Sequence, residues 1–412
     1  MHRRMTTGAL AVAMASVLAV SACSSKSSDS GSTASGGESG SAAASSGLTI
    51  APLAQIDTQG NKVEANEESQ ALNPAGDGNA QCPATTIAMA GALTGADAAL
   101  GINIRNGAQL AVDQHNKANA NCQITLKTFD TEGDPQKATQ VAPQIANDDS
   151  IVGLIGPAFS GETKATGGIF NQAGLVSVTA SATNPTLTDN GWKTFFRGLA
   201  NDDVQGPAVA KYLTGTMGKK KVCVIKDDTD YGIGLAKAMT TTLGSAADAS
   251  CSGDVKKGDR EFSAIISKVT AANPDAIFYS GYYAEAAPLA QQLKSAGSTA
   301  TFVSGDGTND PQFTAQAGDA SQGAVLSCPC GPAPDKFKSE YETAFKQAPG
   351  VYSVEAYDLA SILMKGIASG QTTRPQLLNY VRTYKGPGLA RTYEWTPTGE
   401  LTSSLIWVYE VK

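Results

Sequence analysis

Histidine is almost missing from this chain: 412 residues carry two, His2 and His115. A Ser-His-Asp triad or a two-histidine metal site would have to press His115 into service, and its neighbours Gln114 and Asn116 mark it as a lone surface histidine in a helix. Phosphate-binding loops are missing too. Gly232-Ile233-Gly234 lacks the third glycine at the required spacing, and the stretch from Gly215 to Lys219 does not fit a P-loop. Positive charge is in deficit, with 31 Lys and Arg against 38 Asp and Glu, a net charge of −7 and a pI near 5.0. The basic residues are scattered, without the stripe a nucleic-acid partner requires. No apolar run reaches the roughly 18 to 20 residues needed to cross a bilayer. These absences disfavour catalysis, a metal or cofactor, nucleic acid and a membrane-spanning helix.

What is present begins at the N-terminus. Arg3 and Arg4 precede an apolar run over residues 8–20, which ends in Val20-Ser21-Ala22-Cys23. This reads as a secretory signal over residues 1–23. Its small residues before a cysteine resemble the processing site of bacterial lipoproteins, which implies that Cys23 is acylated and tethers the mature protein to the outer face of the cell membrane. Residues 24–47 are mostly Ser, Gly and Ala, the composition of a flexible tether. The continuation to residue 81 is rich in Asn, Gln, Glu, Gly and Pro and is expected to be poorly ordered or loosely packed.

The folded region from about residue 82 exceeds the size at which one hydrophobic core usually splits in two. Short β-rich runs at 85–92, 123–130, 151–155 and 175–179 alternate with helical stretches, and the alternation restarts after residue 201 with runs at 221–227, 250–256, 276–280 and 301–304. Two such series predict two α/β lobes with parallel central sheets: lobe 1 from 82–201 plus 331–395, and lobe 2 from 202–330 plus 396–412. Chain crossings between them fall near 198–201, 328–331 and 396–398.

Apart from Cys23 there are six cysteines. In an exported chain these suggest disulfides, of which fifteen connectivities are possible. Sequential strands usually neighbour in space, which favours Cys82 with Cys122 and Cys223 with Cys251. Cys328-Pro329-Cys330 is open between a disulfide, free thiols and a metal site, although no second cysteine pair or histidine cluster supports the metal.

Ligands in open α/β sheets bind at the C-terminal ends of strands, where four places stand out. Ser160 lies between a strand and a helix, as an anion-binding residue or an ordinary cap. Ser181-Ala182-Thr183-Asn184-Pro185 carries two hydroxyls in a turn. Tyr231 opens a helix, to close over a ligand or merely to pack. Asp306, between Gly305 and Gly307, follows another strand as a binding carboxylate or a loop acid.

At these residues the sequence resembles the type I periplasmic binding proteins, and within them the leucine/isoleucine/valine-binding family that serves ABC importers. The resemblance covers residues 84–412 and rests on 153–160, the 181–185 turn, Asp230-Tyr231-Gly232, Gly281-Tyr282-Tyr283-Ala284-Glu285, 304–307 and Tyr357-Asp358. It implies a cleft in which Ser160 and Thr183 hold an amino acid's carboxylate. The backbone at Ser181 and the acid Asp306 hold its ammonium, and Tyr231 closes from the second lobe. Ala182 and Tyr282 complete the set. It also implies a hinge of three crossings, and permease and ATPase partners. Leu100 and Asp306 depart from the family's usual aromatic and glutamate, and Glu355 falls near the side-chain end of the site. A receptor that signals an amino acid or amide instead of importing it is the alternative reading, and an exported hydrolase is disfavoured by the histidine deficit.

Overall fold

The computed structural model describes residues 47–65 and 72–412, all within one folded unit, 43–412. The signal segment and Cys23 lie outside the described residues. The chain enters as strands β1 (Ile50–Ile56) and β2 (Lys62–Val63). It continues as β3 (Thr85–Gly91), α1 (Ala98–Ala118), β4 (Ile124–Asp130), α2 (Pro135–Ala146), β5 (Ile151–Ile155), α3 (Ser160–Gln172), β6 (Val176–Thr179) and β7 (Phe195–Arg197). The alternation resumes with α4 (Asp202–Lys211), β8 (Val222–Lys226), α5 (Asp230–Leu243), β9 (Gly253–Asp254), α6 (Ser263–Ala272) and β10 (Ala276–Ser280). It ends with α7 (Tyr283–Ser295), β11 (Thr301–Ser304), α8 (Pro311–Ala317) and β12 (Val325–Cys328). Then come α9 (Asp335–Phe345), α10 (Ser353–Ala368), α11 (Arg374–Arg382), the hairpin β13 (Lys385–Pro387) and β14 (Thr392–Glu394), and finally β15 (Ile406–Val411).

Two sheets result. The first lobe holds a five-stranded parallel sheet in the order β4-β3-β5-β6-β7. The second holds eight strands in the order β2-β1-β15-β12-β11-β10-β8-β9, parallel from β12 to β9 and antiparallel at the β2, β1 and β15 end. Strands β5 and β10 are buried along their whole length, as central parallel strands covered by helices on both faces must be, and their apolar runs reflect it. Helix α10 returns to the first lobe and packs along α1, buried on nearly every side. From β3 onward, strand order and connectivity give three crossings between the lobes, after β7, after β12 and after β14.

The segment expected to be loose before residue 81 is in fact built into the fold. Strand β1 pairs antiparallel with β15, from Ile50 opposite Val411 to Ile56 opposite Ile406, with a register shift at Pro52. The lobe 2 sheet therefore extends to residues 50–63, and the passage from β2 to β3 is a further connection between lobes. The physical reason is that β15 would otherwise leave an unpaired edge, and pairing compensates for the segment's weak strand propensity. Residues 72–82 are likewise held against α1. His115, expected at the surface, is 2% exposed, with Nδ1 3.0 Å from the Pro74 carbonyl and Nε2 3.0 Å from that of Cys122. It is covered by the very lead-in that looked loose. The cysteines are joined as Cys82–Cys122, Cys223–Cys251 and Cys328–Cys330. The first two tie the starts of neighbouring strands, β3 to β4 and β8 to β9.

Candidate binding cleft

The C-terminal ends of β5 and β6 face those of β8, β10 and β11 across a cavity of about 270 Å³, lined by Leu100, Ala158, Phe159, Ser160, Ser181, Tyr231, Tyr282, Asp306 and Tyr352. Its first-lobe wall is the start of α3, where the leading N–H groups have no intrahelical partner. Glu162 shapes that start. Its carboxyl accepts from the Phe159 N–H at 3.2 Å and from the Thr131 hydroxyl at 2.5 Å, and burial pushes its pKa up to about 7. Ser160 Oγ accepts from the Asn184 N–H at 3.2 Å, and Ser181 Oγ donates to the Ala158 carbonyl at 2.5 Å, so the two loops are stitched together.

Behind the 181–185 turn lies Arg197, fully buried, which donates to the carbonyls of Ala182 and Asn184 and pairs with Glu400 at 2.9 Å. Sequence reasoning missed this residue. Ala182 packs away from the cavity against Leu187 and Phe195. Thr183 is buried off the lining beside Asp202, whose own N–H donates to the Thr183 carbonyl at 3.0 Å. Of the seven residues expected around a ligand, Ser160, Ser181, Tyr231, Tyr282 and Asp306 share the cavity, and Ala182 and Thr183 stand behind it.

Asp306 dominates the second-lobe wall. Its Oδ1 accepts from the Tyr231 hydroxyl at 3.0 Å and its Oδ2 from the hydroxyl of Tyr352, while Tyr231 Oη accepts from the Gly307 N–H at 3.1 Å. Burial raises the Asp306 pKa against the pull of Tyr352, Gln205 and Tyr231. Asp202 is pushed well above the carboxylate range by burial and by the Asp306 charge. Both phenols are raised well above 10 by burial and then by Asp306, so they remain protonated donors. Each acid disfavours the other's ionised form, and an entering cation beside Asp306 would favour its carboxylate. Rings of Phe159, Tyr282 and Tyr231 line up from one lobe to the other, with centroids 5.2 and 5.1 Å apart.

The lobes are closed on each other. Lys257 of the second lobe reaches Asp97 of the first at 3.0 Å, Lys164 meets Asp230 at 2.6 Å, and Asn103 donates to Asp310 at 2.9 Å. Glu355 does not face the cavity: it pairs with buried Arg391 at 2.7 Å, and Arg391 also donates to the Pro329 carbonyl on the crossing after β12. Asp358 accepts from the N–H groups of Leu389 and Ala390 and serves the structure, with burial raising its pKa to about 7.

This architecture, two α/β lobes shut over a small cavity, meets its match in a family model: that of the periplasmic binding proteins fits residues 84–412. The chain belongs to the periplasmic binding protein family. It is 32% identical over 323 residues, 76% of this chain and 84% of the relative, to the leucine-, isoleucine-, valine-, threonine- and alanine-binding protein of Pseudomonas aeruginosa. It is 29% identical over 334 residues, 79% of this chain and 91% of the relative, to a Leu/Ile/Val-binding protein of Rhizobium johnstonii. Among solved structures, the leucine binding protein LivK of Thermotoga maritima superposes with a TM-score of 0.73 at 24% identity over 80% of this chain and 97% of that one. The substrate-binding protein LivJ of Streptococcus pneumoniae, in complex with isoleucine, gives 0.74 at 24% identity over 80% and 99%. At that identity the likeness carries the fold, which is the type I fold. These relatives are solute-binding proteins, and this family member is a binding protein and not an enzyme. Among the described residues no helix is long and apolar enough to cross a membrane.

Proposed function

We propose that the protein is the extracytoplasmic substrate-binding component of an ABC importer and captures a small aliphatic α-amino acid in the interlobe cleft. The observation that carries this reading is the pairing of opposite ends in one cavity: the start of α3 with Ser160 on one lobe, and Asp306 with Tyr231 on the other. A helix N-terminus with a hydroxyl suits a carboxylate, and a buried carboxylate suits an ammonium. A zwitterion spans both and so favours closure. The names of the relatives, which bind leucine, isoleucine, valine, threonine or alanine, support the same class. Ser181 and Tyr282 line the bound ligand, and Ala182 and Thr183 shape the turn that presents its loop. The partners are a permease and an ATPase of the importer.

Thermal-shift screening of the twenty amino acids on refolded, ligand-stripped protein tests this. A ligand at a hundredfold excess over its Kd adds about 2.7 kcal/mol, a rise in Tm of roughly 4 °C for a body of this size. If no amino acid raises Tm and calorimetry detects no binding, the reading fails. Lipidation at Cys23 belongs to the same proposal. A fatty-acid analogue should label the membrane fraction, and the Cys23→Ser variant should be released; unchanged retention of that variant refutes the anchor.

A further inference from the structure

Tyr352 stands immediately before α10 with φ of 70° and ψ of −2°. That is the left-handed region, which a bulky side chain occupies only when its surroundings hold it there, and such outliers gather at ligand sites. What holds it here is its own hydroxyl, bonded to Oδ2 of Asp306 on the other lobe. Backbone and side chain are thus pinned at opposite ends.

The position of that ring gives it a consequence. On one side lies the narrow inner cavity shared by Ser160, Ser181, Tyr231, Tyr282 and Asp306. On the other lies a solvent-open space of about 1180 Å³ lined by Val351, Val354, Glu355, Cys330 and Tyr409. Tyr352 belongs to both linings, and among the described residues no other does. It is the partition between the narrow chamber beside Asp306 and a larger space that a longer side chain would have to enter.

We propose that Tyr352 sets the length of the side chain the cleft accepts, so that α-amino acids reaching no further than the γ position, such as alanine, serine, threonine and valine, bind in preference to leucine, methionine and phenylalanine. This rests on the amino-acid reading above and narrows it. The hydroxyl keeps the ring across the chamber, and the ring excludes the δ atoms.

Calorimetry with alanine, threonine, valine, leucine and methionine on the full chain tests it, in the parent, Tyr352→Phe and Tyr352→Gly. The parent should bind its best short ligand at least tenfold more tightly than leucine or methionine. Tyr352→Gly suits the left-handed backbone, removes the partition and should shrink that ratio at least tenfold. Tyr352→Phe keeps the ring but loses the bond to Asp306 that holds it, so its ratio should fall between those of the parent and Tyr352→Gly, a grading that a merely structural role does not produce. If Tyr352→Gly fails to fold by circular dichroism, Tyr352→Asn, also tolerant of this backbone, replaces it. A parent that prefers leucine or methionine, or a ring-less variant with the parental ratio, overturns the inference while leaving the amino-acid reading intact. A parent that binds no amino acid at all overturns that reading first, and the inference falls with it.

Discussion

Replacing Lys257 with methionine should loosen closure without unfolding either lobe. Lys257 lies between β9 and α6 of the second lobe and inserts into the first: its Nζ is 3.0 Å from Asp97, 3.2 Å from the Gly133 carbonyl, and 5.2 and 4.9 Å from the Phe159 and Tyr282 ring centres. Burial works against its charge, but the carboxylates of Asp97, Glu285 and Glu162 outweigh that and raise its pKa. Glu285 itself is pushed up to about 7 by burial and by Asp97. Without the ammonium, closure would bury Asp97 among like charges. Removing one partner of a buried pair costs about 3–5 kcal/mol. The Lys257 side chain is 28% exposed against 1% for Asp97, and solvent screening on the lysine side reduces the figure to about 2–3 kcal/mol. The chain can avoid this cost by opening, which returns Asp97 to water. The penalty therefore falls on the closed state, and the apparent Kd rises by the fraction of closed molecules lost, about 30- to 150-fold at 1.4 kcal/mol per factor of ten. Methionine keeps the apolar stem against the two rings, so ligand-free Tm should move little, while the ligand-bound radius of gyration by small-angle scattering should grow at subsaturating ligand. Lys257→Arg should stay near the parent. A Kd for Lys257→Met within threefold of the parent, with an unchanged scattering profile, refutes the latch.

Asp306→Ala should weaken amino-acid binding by roughly 2–5 kcal/mol, because the ligand ammonium loses its desolvated counter-charge; near-native affinity by calorimetry would sink the assignment. Glu162 titrates near 7 in the folded protein against an ordinary 4.5, so its contribution to stability is full below about 4.5 and is lost as pH rises through 7, up to roughly 3 kcal/mol. Glu162→Gln should therefore lose less Tm than the parent between pH 5 and pH 8, and parallel profiles would refute this. Cys223–Cys251 closes a span of 28 residues and contributes on the order of 3–4 kcal/mol in the chain-entropy account, whereas Cys328–Cys330, with a separation of 2, constrains little of the unfolded chain. Cys328→Ser with Cys330→Ser should keep most of the Tm and change ligand affinity or closing rate at the crossing; a loss of Tm equal to that of the Cys223, Cys251 double variant, with binding unchanged, counts against a hinge role.

The sequence by itself determined whatever depends on local order along the chain. The repeated alternation of apolar β-rich runs and helices specified two lobes, because period and length are local properties. Ser160, Tyr231 and Asp306 were legible because each follows a strand, and the C-terminal ends of parallel strands converge whatever lies between them. The cysteines before β3 and β4 were legible for the same reason. Tertiary structure alone decided the rest. Strand β1 has a proline and a weak strand pattern and exists because β15, from the opposite end of the chain, offers it an edge. His115 turned from a surface residue into a core one once the 72–82 segment covered it. Tyr352, Arg197 and Lys257 carry no motif. Their roles come from a second wall brought up against them, Asp306 from the other lobe for Tyr352, the 181–185 turn for Arg197 and Asp97 for Lys257. A residue whose function is to touch something distant in sequence can be recognised only when the distant partner is in place.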